Sequence, residues 1–241
     1  MADEGFTHPR LAAIYDVLDP DRSDLDAYVR MVEEFGARQV LDVGCGTGVF
    51  ALLLAGRGVE VVGVDPALAS LDVARGKPGS ERVRWIHGDA SELPPVQVDL
   101  VTMTANVAQQ IVEADAWRDT LRGACAALRP GGRLVFETRD PVRRAWEEWN
   151  REASYAATEV PGVGVVESWV EVTRVDGQLA TFRWTYVFAS DGQTLTSDST
   201  LRFREREEVE AELGRRGFVV EDVRDAPDRP GKELVFVARR P

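Results

Sequence analysis

Apolar positions along this chain follow two rhythms. Between residues 39 and 138, five short apolar runs carry few alternating polar residues: Gln39–Val43, Val59–Val64, Val83–His87, Val98–Thr102 and Arg133–Thr138. Stretches with helical spacing lie between them, from about Val49 to Arg57, Pro66 to Arg75 and Ala114 to Leu128, and Arg129-Pro130-Gly131-Gly132 reads as a turn. Runs that are apolar on both faces suit strands covered on both sides. Strands alternating with helices predict a parallel, doubly wound sheet of α/β class.

After Pro141 the rhythm changes. A Trp-rich helical stretch, Arg143–Asn150, precedes three runs with side-to-side alternation, Val165–Val175, Leu179–Ala189 and Thr194–Arg204. They are joined at Asp176-Gly177 and Asp191-Gly192, and Asp-Gly between alternating runs is a strong hairpin signal. The reading is a three-stranded antiparallel meander. Helix then returns at Arg206–Arg216, with strands at Phe218–Val223 and Leu234–Ala238. Residues 8–35 read as two short helices broken at Asp19-Pro20-Asp21. The expected organisation is one unit built from 1–140 plus 205–241, in which 1–35 form a helical cap, and an inserted subdomain over 141–204.

The first strand ends in an acid, Asp42, and three glycines follow at alternate positions, Gly44, Gly46 and Gly48. Glycine reaches positive φ freely and lets a ligand approach the main chain. Strand, glycine turn and helix start together make a nucleotide-type cofactor site. A dinucleotide fingerprint places its third glycine where Val49 stands. A pyrophosphate is also poorly served by a neighbouring carboxylate such as Asp42, whereas a cationic amino group is well served.

Composition narrows the partners. The 241 residues carry a net charge of −12, and basic residues are interleaved with acids, as in Arg202, Arg204 and Arg206 among Glu205, Glu207 and Glu208. Such a field repels nucleic acid. Cys45 and Cys125 form neither a metal-ligand spacing nor a disulfide framework, so no metal is expected and a reduced, cytoplasmic setting is the default. The acidic opening Met1-Ala2-Asp3-Glu4-Gly5 shows no signal-peptide pattern, and no apolar run is long enough for a membrane.

The segment Val40-Leu41-Asp42-Val43-Gly44-Cys45-Gly46-Thr47-Gly48 resembles the first motif of class I S-adenosylmethionine-dependent methyltransferases. Four further segments resemble later motifs in the right order: Val61–Asp65, Gly88-Asp89-Ala90, Asp99-Leu100-Val101 and Leu128–Leu134. The resemblance covers about residues 36–140 and more weakly 205–240. It implies a Rossmann-like, seven-stranded, mostly parallel sheet whose last strand, here Lys232–Ala238, is antiparallel. It implies S-adenosyl-L-methionine as cofactor, held by Asp42, Gly44, Cys45 and Gly46, with Asp65 and Pro66 at the ribose. Gly88, Asp89 and Ala90 would meet the adenine, and Thr104 and Asn106 the methionine end, with Tyr15 reaching in from the cap. The inserted meander would carry substrate-binding structure.

Asp65 and Asp89 also suit plain capping roles, and Asn106 an Asx-turn. His87 reads as structural, and Gln109 joins the loop after the fourth strand. Tyr15, Glu137 and Arg139 are the weak candidates for direct work on substrate; no general base is identified, so N-, O- and C-methylation stay open. Trp146, Trp149, Trp169 and Trp184 are expected to form a core between meander and sheet. The function read is methyl transfer to a small molecule. The alternatives are a cofactor-binding accessory protein of the same fold and an NAD(P)-dependent oxidoreductase. Open meander edges make a homodimer the candidate assembly.

Overall fold

The computed structural model describes residues 3–241. Three helices open the chain: α1 (Glu4–Thr7), α2 (Pro9–Leu18) and α3 (Leu25–Glu34). Next come β1 (Gln39–Val43), α4 (Val49–Gly56), β2 (Glu60–Asp65), α5 (Leu68–Gly76), β3 (Val83–His87), β4 (Val98–Met103), α6 (Val107–Gln110), α7 (Ala114–Ala127) and β5 (Leu128–Arg139). Then α8 (Arg151–Ser154) leads into β6 (Ala156–Val160), β7 (Gly164–Asp176), β8 (Leu179–Phe188) and β9 (Thr194–Arg202). The chain closes with α9 (Arg206–Arg215), β10 (Val219–Asp225) and β11 (Glu233–Arg239).

Seven strands form one sheet in the order β10-β11-β5-β4-β1-β2-β3. The β1–β2, β2–β3, β1–β4 and β4–β5 pairs are parallel, and β11 runs antiparallel to both of its neighbours. The order reverses at β1–β4, so the crevice past the C-terminal ends of these strands is where an open α/β sheet binds ligands. Both sheet faces are covered. Trp117, Leu121, Phe136, Val209 and Phe236 pack on one side, and Val29, Val32, Val40, Phe50, Leu54 and Val235 on the other. This two-sided burial is why the strands read as unbroken apolar runs.

The segment Arg129–Gly132 is a bulge within β5 rather than a turn before it. Val98 pairs with Leu128 and Leu100 with Arg133, so the intervening residues loop out of register. Gly131 takes φ +84°, and the Gly131 amide donates to the Arg240 carbonyl at 2.8 Å.

The second sheet has four antiparallel strands in the order β6-β7-β8-β9, one more than the sequence reading. The missed strand, Ala156–Val160, is short, mostly exposed and without clear alternation. Its turn signal is Pro161-Gly162, where Gly162 takes φ +77°. The Trp-rich stretch folds as two 3-10 turns, Pro141–Arg143 and Ala145–Glu148, rather than one helix. Trp146, Trp149 and Trp184 join Phe182 and Phe203 in a core cluster. Trp169 does not, because pairing of Val170 with Trp184 puts Trp169 on the opposite face of β7, beneath the Arg151 guanidinium at 4.2 Å.

The glycine turn between β1 and α4 is left-handed three times, with φ of +71°, +53° and +81° at Gly44, Gly46 and Gly48. The three differ in surroundings. A Cβ on Gly44 would lie 2.6 Å from Val107 Cγ2, and one on Gly48 2.5 Å from the Trp85 ring, but one on Gly46 meets nothing within 4 Å. Gly48→Ala should therefore cost about 1–3 kcal/mol, from left-handed strain plus overpacking. Gly46→Ala, which carries the strain alone, should cost about 1–2 kcal/mol. Urea unfolding measures both, as a larger fall in midpoint for Gly48→Ala at unchanged slope.

Candidate active site

A cleft of about 890 Å³ opens at the C-terminal ends of β1, β2 and β4. Its floor is the glycine turn, with Asp42, Gly44, Cys45 and Gly46. Asp65 and Pro66 lie to one side with Gly88, Asp89 and Ala90, and Thr104, Ala105 and Val107 to the other. Phe6, Tyr15 and Arg22 come from the N-terminal helices, and Asp198 and Thr200 from β9.

Asp42, next to last in β1, is almost fully buried, at 1% exposure. Thr102 Oγ1 donates to its Oδ1 at 3.1 Å, and its Oδ2 is buried with no partner among the described residues. Burial pushes the carboxyl from the usual 3.8 up to about 7. A buried acceptor left without a donor is costly, and a cationic ligand group would satisfy it.

Asp65 ends β2 and ties its own loop to the glycine turn. Its Oδ2 accepts the Gly46 amide at 2.8 Å and its Oδ1 the Ala67 amide at 2.7 Å. Burial raises its carboxyl, and the two amides oppose the rise. Asp65 lines the cleft, and each oxygen keeps a second lone pair, enough in number for two hydroxyl donors. Asp89 caps the 3-10 turn Ala90–Glu92, its Oδ1 accepting the Ser91 amide at 2.8 Å. Cys45 is buried, and burial pushes its thiol well up, so it stays protonated.

The cap closes one wall. Thr47 Oγ1 donates to Asp16 at 2.6 Å, and Lys77 Nζ pairs with Asp16 and donates to the Thr47 carbonyl at 2.7 Å, locking α2 to the glycine turn. Phe6 and Tyr15 pack together with ring centroids 5.6 Å apart. Burial pushes the Tyr15 phenol up, so it remains a neutral donor. Arg22, in the break between α2 and α3, pairs with Asp24 at 3.2 Å.

Three sequence candidates fall outside the cleft. Asn106 takes φ +61° after Ala105 at +57°, which turns its side chain away from the crevice. Its Nδ2 donates to Glu233 at 3.2 Å and its backbone amide to Glu137. Glu137 is buried behind the wall, where it also accepts from the Tyr28 hydroxyl, and burial pushes it from the usual 4.5 up to about 7. Arg139 sits 3.8 Å from Glu233 and donates to Gln109 Oε1 at 3.2 Å. Gln109 is fully buried, and His87 bonds the Pro66 carbonyl at 3.1 Å. Asn106, Glu137, Arg139, Gln109 and Glu233 form a connected polar set behind the loop after β4, whereas His87 ties the end of β3 to the loop after β2. The contributions of Phe6, Val107 and Ile111 were not foreseen, and β9 is the strand of the inserted sheet that reaches the cleft, through Asp198 and Thr200. Only an isolated apolar residue in an acidic N-terminus pointed to Phe6. No described group of His, Cys, Asp and Glu is arranged to hold a metal ion.

Residues 40–132 match the methyltransferase domain family. The matched region carries the glycine turn and strands β1 to β4 of the parallel sheet. The chain is 36% identical over 119 residues to the cypemycin N-terminal methyltransferase of a Streptomyces species, covering 49% of each chain. It spans about half the length, or less, of the curated relatives it matches. Among solved structures, an S-adenosylmethionine-dependent methyltransferase from Clostridium acetobutylicum shares the fold. It has a TM-score of 0.75 and 18% identity, with 96% of this chain and 98% of that one covered. The sugar N-methyltransferase KedS8 of a Streptoalloteichus species also superposes at 0.75, with 21% identity over 94% and 92% of the two chains. No described helix is long and apolar enough to cross a membrane.

Asp42 and Glu137 carry a pH signature. Between about pH 4 and 7 the native state keeps protons that the unfolded chain has released, so stability falls as pH rises through that window. Asp42→Asn should flatten its share of the fall and leave the share from Glu137. Urea unfolding at intervals from pH 4.5 to 7.5 reads both slopes.

Proposed function

We propose that the whole chain is a small-molecule methyltransferase using S-adenosylmethionine. The observation that carries the reading is the unpartnered Oδ2 of Asp42, buried at the cleft floor beside the open face of Gly46. That pair suits an amino acid headgroup, with its ammonium on Asp42 and backbone close approach at Gly46. Asp65 would hold the ribose hydroxyls, Asp89 and Ala90 would border the adenine, and Thr104 and Tyr15 would flank the methionine end. Arg22 would face the carboxylate.

S-adenosylmethionine, when bound, supplies a methyl group already activated on a sulfonium. The protein's share is orientation and exclusion of water. A preorganised geometry is worth up to about 7–11 kcal/mol. The cap and β9 wall the cleft, and a dry site strengthens local electrostatics. Tyr15 is the one of the three weak candidates that reaches the cleft, where its neutral phenol can orient an acceptor. Acids on the lining, among them Asp3, Glu113, Asp119 and Asp198, far outnumber the single base, Arg22. That balance favours a neutral or cationic acceptor, such as an amine that attacks after losing its proton.

We read 1–140 with 205–241 as the cofactor unit and 141–204 as the inserted unit that completes the acceptor side. The exposed edge of β6 offers a pairing surface for a homodimer. Both cysteines are free, which suits a reducing compartment such as the cytoplasm.

Saturating cofactor should stabilise the fold by about 2.7 kcal/mol at a hundredfold excess over Kd, seen as a thermal shift with S-adenosylmethionine and with S-adenosylhomocysteine. A shift confined to a nicotinamide dinucleotide would overturn the reading. Asp65→Ala should weaken S-adenosylhomocysteine binding by about 1–3 kcal/mol in calorimetry. In a size-matched panel of amines, phenols and carboxylates, turnover should appear among the amines. Turnover with carboxylates alone would reject the acceptor class.

A further inference from the structure

Among the described residues Arg204 is the largest fully buried side chain, at 1% exposure, and no carboxylate pairs with it. It lies between β9 and α9, just past the inserted sheet. Its Nη1 donates to the Ala108 carbonyl at 3.0 Å and its Nη2 to the Ile111 carbonyl at 2.5 Å. The guanidinium lies over the Trp117 ring at 4.7 Å. Burial lowers its pKa to about 10, so the group keeps its charge at neutral pH.

A lone buried charge is expensive, and apolar side chains fill such space at lower cost. What this one does is specific. The helix α6 is a single turn, and a turn that short leaves its carbonyls without intrahelical donors. Arg204 supplies donors to Ala108 and Ile111 in the planar fork that a guanidinium alone offers. Arg202 reinforces it, donating to the Val112 carbonyl at 3.3 Å, and Gln109 Nε2 returns a bond to the Arg202 carbonyl at 3.4 Å. The segment held this way faces the cleft through Val107, Ile111 and Val112. Val107 in turn presses on Gly44, closely enough that no Cβ fits between them.

We propose that Arg204 is a positioning residue that clamps the 107–112 wall of the cleft and couples the inserted sheet to the glycine turn. The path runs from β9 through Arg204 to the α6 carbonyls, then through Val107 to Gly44. An acceptor that shifts β9 would thus alter cofactor affinity, and the reverse, since coupling between sites is reciprocal. This role rests on the cleft being the cofactor site.

The test compares full-length wild type, Arg204→Met and Arg204→Lys by calorimetry with S-adenosylhomocysteine and by hydrogen exchange. Arg204→Met fills the space but donates nothing. It should weaken binding about tenfold and speed exchange of amides 107–112, with β7 and β8 unchanged. Arg204→Lys keeps the charge but not the fork, and should recover part of both. Wild-type affinity and exchange in Arg204→Met would overturn the clamp. If that variant does not fold, Arg204→Lys decides alone: selective loosening of 107–112 supports the proposal, and an unchanged pattern sinks it. Should wild type fail to bind S-adenosylhomocysteine, the functional reading falls, while exchange at 107–112 still judges the clamp.

Discussion

The rest of the structure depends on the backbone turn between β1 and α4. Three left-handed residues within five positions reverse the chain tightly enough to bring a buried carboxylate and open main chain to the same floor. The glycines do different jobs. Gly48 gives way to Trp85, Gly44 gives way to Val107, and Gly46 stays open. Two of the three are therefore packing glycines, and one is the point of close approach. The turn is also held from the side, because Asp65 binds the Gly46 amide and so fixes β2 against β1 at the crevice.

Much of this was legible from residue order. Unbroken apolar runs at β1, β2 and β4 announced a sheet covered on both faces, and Asp-Gly at 176–177 and 191–192 announced two of the hairpins. Ala156–Val160 escaped because an exposed edge strand buries almost nothing, so alternation leaves no mark on it. The bulge at Arg129–Gly132 was read as a turn because its local sequence is that of a turn; only pairing with Val98 and Leu100 shows the strand running through it.

The floor of the site could be read because its acids lie close to strand ends: Asp42 is next to last in β1, Asp65 ends β2 and Asp89 stands just past β3. The wall could not. Asn106 looked like a cleft residue from its place after β4, but consecutive positive φ at Ala105 and Asn106 turn it toward Glu233. Glu137 and Arg139 leave β5 near the crevice, yet their partners are Tyr28, Gln109 and Glu233 behind it. Arg204 sat in a run of mixed charge, Arg202 to Glu208, which reads as a solvated surface. Its burial comes from carbonyls nearly a hundred positions earlier in the chain, a contact that no local pattern encodes.

The cap has one further consequence. Its tie to the glycine turn is a compact, half-buried set, Asp16 with Thr47 and Lys77. Its tie to the inserted sheet is apolar at its centre, where Leu11 and Ile14 share a buried cluster with Val160, Val166 and Phe188, and it is edged by the Arg10–Asp191 pair and a bond from the Gly5 amide to Ser197. Exposed pairs are weak and are screened by salt. Salt therefore reaches only the rim of the seam with the inserted sheet, and α2 bridges the glycine turn, through Asp16, and that sheet, through buried apolar packing.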